Sequence, residues 1–96
     1  MSLLPSFAEF QTQALAEGFD QVLERVWEPD QSTGIHTHPF AVAALVVAGE
    51  LRLDCGAQTR HLRTGDRFEL AAEVPHAERY GPQGATFWVA RRLAPV

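Results

Sequence analysis

The chain has 96 residues, of which 46% are hydrophobic, and a formal net charge of −4; we expect one small folded domain over 1–96, and disorder is excluded. The acidic balance argues against a nucleic-acid-binding face, which needs a basic patch, and no apolar run approaches the roughly 20 residues of a membrane-spanning helix. Residues 1–20 lack the features of a secretory signal, and the single Cys55 cannot form an internal disulfide, so we expect a cytoplasmic protein with no nucleic-acid or membrane partner.

The N-terminal residues 6–17 are predicted to form a helix. Ser6 followed three residues later by Glu9 is a capping-box signature, and Gly18 can end the helix in a left-handed conformation. The apolar stripe of this helix contains Phe7, Phe10, Ala14 and Leu15. A helix this short is stable only when such a stripe packs against the rest of the fold or against a partner subunit, and we expect a homodimer.

The rest of the chain has the alternation and turn spacing of a β-protein. Residues 19–27 read as a strand, 28–34 as a loop and 40–48 as a strand buried on both faces. The further predicted strands are 51–54, 59–62, 66–70 and 86–92. Turns about every 8 to 12 residues are typical of an all-β sandwich or barrel.

Three histidines in this pattern suggest a metal site. Alternate residues of a strand point to the same face, so His36 and His38 present two imidazoles about 6.8 Å apart at Cα. A third imidazole from a neighbouring strand, for which His76 is the candidate, would complete a facial set of neutral nitrogen ligands. Such a set suits a divalent metal with coordination positions left open.

With its strands and histidines in this order, the chain resembles the cupin superfamily over roughly residues 30–92. That family carries HxH, a glutamate four residues later and a glycine seven beyond that, followed by a second motif that opens with glycine and ends in histidine after a proline turn. The corresponding residues here are His36-Thr37-His38, Val42 and Gly49, and then Gly65-Asp66 to Pro75-His76. The resemblance implies a small single cupin domain, with an all-β, double-stranded β-helix (jelly-roll) barrel at about 19–92 and a short N-terminal helix.

The departures from the family pattern narrow the expected site. Val42 stands where cupins usually carry a ligating glutamate, Asp30 where a glycine opens the first motif, and Glu73 where many members have glycine. The remaining histidines are similar to the three-histidine variant of some cupin dioxygenases. Three neutral imidazoles leave the ion's charge uncompensated, which strengthens it as a Lewis acid and keeps one more position free.

Glu78 and Tyr80 are the candidate catalytic residues, because they share one strand face with His76. Glu78 could be a fourth ligand, a general base or an acceptor that orients an imidazole. The alternative is a solvent-facing or rim carboxylate paired with Arg79 or another arginine. For Tyr80 the alternative is a packed aromatic whose hydroxyl is satisfied.

Three functions remain open on these residues. The resemblance implies a dioxygenase- or isomerase-like enzyme that acts on a small molecule with Fe(II), Zn, Ni or Mn, among which three-histidine ligation favours iron. The alternative is a non-catalytic ligand- or metal-sensing module similar to the effector-binding domain of arabinose-responsive-type regulators. The ion could also be structural. His61 is expected at the surface, and Arg91-Arg92 as a solvated strand end.

Overall fold

The computed structural model describes residues 4–93; residues 1–3 and 94–96, which the single-domain prediction includes, lie outside the described residues. The elements in chain order are α1 (Phe7–Ala16), β1 (Gln21–Trp27), β2 (Phe40–Cys55), β3 (Gln58–Arg63), β4 (Arg67–Leu70) and β5 (Ala77–Leu93). The prediction of an all-β jelly-roll barrel with a short N-terminal helix is therefore confirmed.

The capping residues define the start of α1 as predicted. The Glu9 amide donates to Ser6 Oγ at 3.1 Å, and the Ser6 amide donates to Glu9 Oε1 at 2.8 Å. Past the helix, Gly18 has a φ of +95°, the left-handed conformation that favours glycine. Phe10 and Ala14 are buried against the outer face of the sheet, so this part of the apolar stripe packs on the barrel of its own chain, whereas Leu15 is exposed.

All strand pairs are antiparallel, and the sheet order is β1-β5-β2-β3, with β4 also paired to β2. The long strands β2 and β5 pair with each other, and both strands contribute residues to each of the two hydrophobic clusters. The inner cluster comprises Val42, Ala44, Val46, Leu51, Leu53, Leu62, Phe68, Tyr80, Ala85, Phe87 and Val89. The outer cluster lies under α1 and contains Phe10, Ala14, Leu45 and Ala90. Burial of β2 on both faces follows from these two clusters.

β2 is one bent strand, whereas the sequence suggested separate strands at 40–48 and 51–54. Its ladder with β5 is irregular between Val46 and Ala48 and again between Gly49 and Leu51. Gly49 has a φ of +71°, and a Cβ placed there would collide with the Gly84 carbonyl oxygen. The glycine therefore bends a continuous strand and does not end it.

β5 begins nine residues earlier than the predicted strand 86–92. Its first part pairs with β2 from Ala77 opposite Asp54 to Tyr80 opposite Leu51, and pairing resumes at Ala85 opposite Gly49. Residues 81–84, which include Pro82, lie outside this ladder. Proline has no amide hydrogen to donate, so at this position no ladder hydrogen bond is lost. This early segment positions Glu78 and Tyr80.

Candidate metal centre

Backbone hydrogen bonds join His36 to His76. The His36 amide donates to the His76 carbonyl at 2.9 Å, and the His76 amide donates back to the His36 carbonyl at 3.0 Å. This isolated antiparallel bridge brings the two imidazole centroids to 4.3 Å. The loop before β2 and the loop before β5 are thus held together at the site.

Hydrogen bonds fix the tautomers of these two rings. Nδ1 of His36 lies 2.7 Å from the Gly34 carbonyl oxygen, and Nδ1 of His76 lies 2.9 Å from the Val74 carbonyl oxygen. Because a carbonyl can only accept, each Nδ1 carries a proton, and the lone pair of the neutral ring is then on Nε2. Such an outer hydrogen bond is typical of metal-binding histidines.

His38 completes the cluster from the same segment as His36. Its ring stacks on Phe40, with centroids 4.9 Å apart and an interplanar angle of 11°, and its carbonyl accepts from the Glu73 amide at 2.8 Å. Burial, and then the neighbouring imidazoles of His36 and His76, lower the pKa of His38. The neutral form, which a metal ligand requires, is therefore favoured.

One ligand nitrogen from each of these three histidines lies within 4.8 Å of the other two. In a tetrahedral or facial set at about 2.0–2.1 Å from one ion, imidazole nitrogens lie roughly 3–3.4 Å apart, so the rings must draw closer together to bind an ion. The three neutral donors suit a divalent transition metal. The donor set therefore fits the group that the sequence suggested.

A cavity of about 130 Å³ adjoins the cluster. Its lining residues are Arg25, Trp27, Thr33, His36, His38, Phe40, Val42, Phe68, Leu70, His76, Glu78, Phe87, Val89 and Arg91. Val42, at the position of the family's ligating glutamate, thus contributes an apolar wall. Most of the surface is aromatic or aliphatic, with a few charged groups, as in many small-molecule sites.

Glu78 lies on this cavity wall with only 8% of its surface exposed. Its amide donates to Thr33 Oγ1 at 3.0 Å, and its carbonyl accepts from the Thr33 amide at 2.9 Å. Arg79 pairs with Asp54 instead, at 3.8 Å. Glu78 is therefore neither solvent-facing nor paired with Arg79, and it is not one of the three clustered ligands.

Tyr80 packs behind Glu78 and does not line the cavity. Its ring stacks on Trp27, with centroids 4.8 Å apart, and lies parallel to Phe87 at 6.5 Å. Burial, followed by the neighbouring Glu78 carboxylate, raises the pKa of Tyr80. The two side chains are close, yet the Tyr80 hydroxyl makes no hydrogen bond of good geometry, so the expectation of a satisfied hydroxyl is not met.

Two arginines that the sequence did not suggest also line the cavity, Arg25 and Arg91. The interpretation of Arg91-Arg92 as a solvated strand end holds only for Arg92, which is exposed, whereas Arg91 is half-buried. The signal that could have found Arg91 is alternation, since it shares a strand face with Phe87 and Val89, two inner-cluster residues. His61 lies outside the site and pairs with Glu50 at 3.2 Å.

Known proteins with the same fold include both an enzyme and a regulator domain. An RmlC-like cupin from Shewanella frigidimarina superposes with a TM-score of 0.68 at 20% identity, over 76% of this chain and 65% of that one. A DMSP lyase structure gives a TM-score of 0.70 at 26% identity, over 76% of this chain and 38% of that one. The chain thus spans less than two thirds of either protein's length.

The cupin domain of an XRE-family transcriptional regulator from Enterobacter cloacae gives a TM-score of 0.64 at 19% identity, over 84% of this chain and 87% of that domain. No curated protein matches the chain. The sequence pattern of the cupin domain matches residues 23–85, a segment that contains all three clustered histidines. This match covers well over half of the chain, and together with the fold it shows that the chain belongs to the cupin superfamily.

Proposed function

We propose that the protein is a metal-dependent enzyme with dioxygenase- or isomerase-like chemistry on a small molecule, in which His36, His38 and His76 hold a divalent ion. The observation that carries the proposal is the convergence of three imidazoles, two of them with Nδ1 donating to a backbone carbonyl. Such an ion would supply Lewis acidity and lower the pKa of bound water. Fe(II), Zn, Ni and Mn all accept imidazole ligands.

Glu78 is our candidate proton acceptor in this proposal. It is the carboxylate that lines the cavity among the described residues, and its backbone is fixed on both sides by Thr33. A buried carboxylate beside a small apolar space can accept a proton from a bound molecule and hold it away from water. Tyr80, behind it, would act as a positioning residue that limits where the Glu78 carboxylate can move.

Metal content measured by mass spectrometry tests the site directly. We expect about one transition-metal ion per chain in the wild type and in a His61→Ala variant, because His61 lies outside the cluster. A His36→Ala/His38→Ala variant is expected to lose the ion. Equal metal content in all three proteins would refute the three-histidine site.

A Glu78→Gln variant tests the role of the carboxylate. As a proton acceptor, Glu78 should be needed for turnover and not for metal retention, since the three histidines hold the ion. We therefore expect unchanged metal content and loss of product formation in a substrate screen run with the metal-loaded protein. A variant that kept both its metal and its activity would remove Glu78 from the mechanism.

The second candidate function is a non-catalytic ligand- or metal-sensing module. Its support is the shared fold and near-complete mutual coverage with the cupin domain of the Enterobacter regulator. Turnover distinguishes the two functions: a sensor would be stabilised by its ligand and release no product, and a His76→Ala variant of an enzyme would lose product formation.

We also propose a homodimer in the cytoplasm. Exposed large apolar side chains, among them Leu15, Val26 and Ile35, give the barrel surfaces that a second copy could cover. No helix within residues 4–93 is long and apolar enough to cross a membrane. Sedimentation of a monomer at micromolar concentration would contradict the dimer, and that 1–96 form a single domain stays a prediction.

A further inference from the structure

Three buried polar atoms of the described residues have no hydrogen-bond partner: Trp27 Nε1, Tyr80 Oη and Arg91 Nε. Trp27 and Arg91 line the metal cavity, and Tyr80 stacks on Trp27. The indole and guanidinium nitrogens can only donate. Buried donors are rarely left unpaired, so unpaired donors on two residues that line the cavity favour a ligand that offers acceptor atoms once a small side-chain movement brings a donor to the cavity surface.

The charges around the cavity also favour an anion. Arg25 and Arg91 both line it, and the ion pairs of the described residues, His61 with Glu50 and Arg79 with Asp54, involve neither. Glu78 offsets one of these two positive charges, and a divalent ion at the histidines would add to the excess. An anionic molecule would neutralise this excess without help from bulk water.

Aromatic rings hold the two guanidinium groups in place without neutralising them. Arg91 lies over Phe40 at 4.7 Å from the ring centroid, and Arg25 lies over Trp27 at 5.1 Å. Phe40 also stacks on His38, so Arg91 and a metal-cluster histidine pack on the same ring. Such cation–π contacts orient the guanidinium and leave its hydrogen-bond donors free.

The size and shape of the cavity restrict the anion. About 130 Å³ corresponds to roughly four water molecules at about 30 Å³ each. The planar guanidinium fork matches a carboxylate in a bidentate contact. The remaining walls are largely apolar, which suits a short carbon chain and not a heavily charged molecule.

We propose that the cavity is a binding site for a small carboxylate anion, with its carboxylate held by Arg91 and with Arg25 as the second cation. This inference rests on the proposed function, because it names the substrate class presented to the metal. The carboxylate is placed by the protein's own donors, so its binding does not require the ion.

The test is a titration of chelator-treated protein, with metal content measured on the same sample, against formate, acetate and propanoate. Formamide, acetamide and propanamide are the neutral analogues, and sodium chloride keeps the ionic strength constant. We expect at least one carboxylate to raise the melting temperature and its amide not to. Arg91→Gln should raise the Kd for that carboxylate by about tenfold or more, because a charge-assisted hydrogen bond is lost. Arg91→Lys should raise the Kd less.

Arg79→Gln is the matched control, because Arg79 lies on the same strand with its side chain 58% exposed and pairs with Asp54 outside the cavity. It should bind the carboxylate as the wild type does. If Arg91→Gln does not fold, Arg25→Gln provides the same comparison with a smaller expected loss.

The inference would be overturned if no carboxylate binds better than its amide, or if binding persists unchanged in both arginine variants. Binding that appears only after metal loading would also overturn it, since the ion alone would then hold the carboxylate. A protein that takes up no metal yet binds acetate through Arg91 would support this inference and refute the proposed metal-dependent function.

Discussion

Two residues of the described chain other than glycine adopt left-handed backbone conformations, Asp30 with a φ of 58° and Glu73 with a φ of 65°. Both stand at positions where the cupin pattern carries glycine. At both positions the backbone has the left-handed conformation that favours glycine. The left-handed conformation costs a residue with a Cβ about 1–2 kcal/mol, and at Glu73 it is held by the amide hydrogen bond to the His38 carbonyl.

Glu73→Gly is expected to raise the free energy of unfolding by up to about 1 kcal/mol. The relief of left-handed strain exceeds the roughly 0.5–1 kcal/mol of extra chain entropy that glycine loses on folding. Because the Glu73 side chain is exposed, its removal should cost few packing contacts. Urea denaturation measures the change, with Glu73→Ala as a control that should show no gain. A glycine variant less stable than the wild type would contradict this reasoning.

Tyr80 is the only tyrosine of the chain, so its ionisation can be followed by phenolate absorption alone. Burial, and then the Glu78 carboxylate, raise its pKa above the usual value of 10.0. We expect the phenolate band of the folded protein to appear only well above pH 10, and in Glu78→Gln to appear at a lower pH than in the wild type. The same midpoint in both proteins would mean that the carboxylate does not act on the hydroxyl.

The same shift has a consequence for stability. The folded pKa of Tyr80 lies above the unfolded value of about 10, so the neutral phenol's contribution is complete below that pH. The contribution is lost as pH rises through the folded pKa. Alkaline conditions should therefore lower the free energy of unfolding more than they would if Tyr80 were an exposed tyrosine with the same pKa in both states.

At the scale of elements, the bend of β2 at Gly49 brings its backbone close to that of Gly84 in β5. Gly49→Ala is expected to lower the free energy of unfolding by at least about 2 kcal/mol, through left-handed strain and the collision with the Gly84 carbonyl. Gly34→Ala is the matched control, because a methyl group at Gly34 would meet no atom within 4 Å beyond its chain neighbours. Comparable urea midpoints for the two variants would show that the close approach of the Gly49 and Gly84 backbones does not limit stability.

The sequence predicted elements whose signals are local and missed those that depend on a partner strand. The capping pair Ser6 and Glu9 defines α1 whatever surrounds it. A glycine such as Gly49, however, has the same local preference in a turn and in a bulge, so β2 was divided there. Likewise Pro82 and Gly84 concealed the continuity of β5, since only the register with β2 shows that the segment carrying Glu78 and Tyr80 runs on past them.

The same distinction applies to the site. The spacing of His36 and His38 indicates a shared face without further information, and the family pattern adds His76. Arg25 and Arg91 were missed because an arginine near a strand end is normally solvated. Their position on the cavity depends on the pairing of β1 with β5, which brings Trp27 opposite Ala85 and Gln21 opposite Arg91.

For the whole molecule, the hydrophobic core extends well beyond the metal centre. Val42, Phe68, Phe87 and Val89 of the inner cluster line the metal cavity, whereas Leu51, Leu62 and the outer cluster beneath α1 lie away from it. The fold should therefore persist without the ion, and a bound ion adds stability only by mass action, about 2.7 kcal/mol at a free concentration of 100 times Kd.

Chelation is therefore expected to lower the melting temperature while the far-ultraviolet circular dichroism keeps its β-sheet form. Restoring the ion should restore the melting temperature in the wild type and not in His36→Ala/His38→Ala. Unfolding of the wild type on chelation at room temperature would instead support a structural ion.

The backbone bridge between His36 and His76 also has a bearing on synthesis and folding. Its two residues are separated in sequence by β2, β3 and β4, and closing so long a loop is entropically costly. Pairing of Ala77 with Asp54 brings the start of β5 into place beside His76. A nascent chain whose β5 is still inside the ribosome offers only the first two imidazoles, and the third joins them when the bridge between His36 and His76 forms.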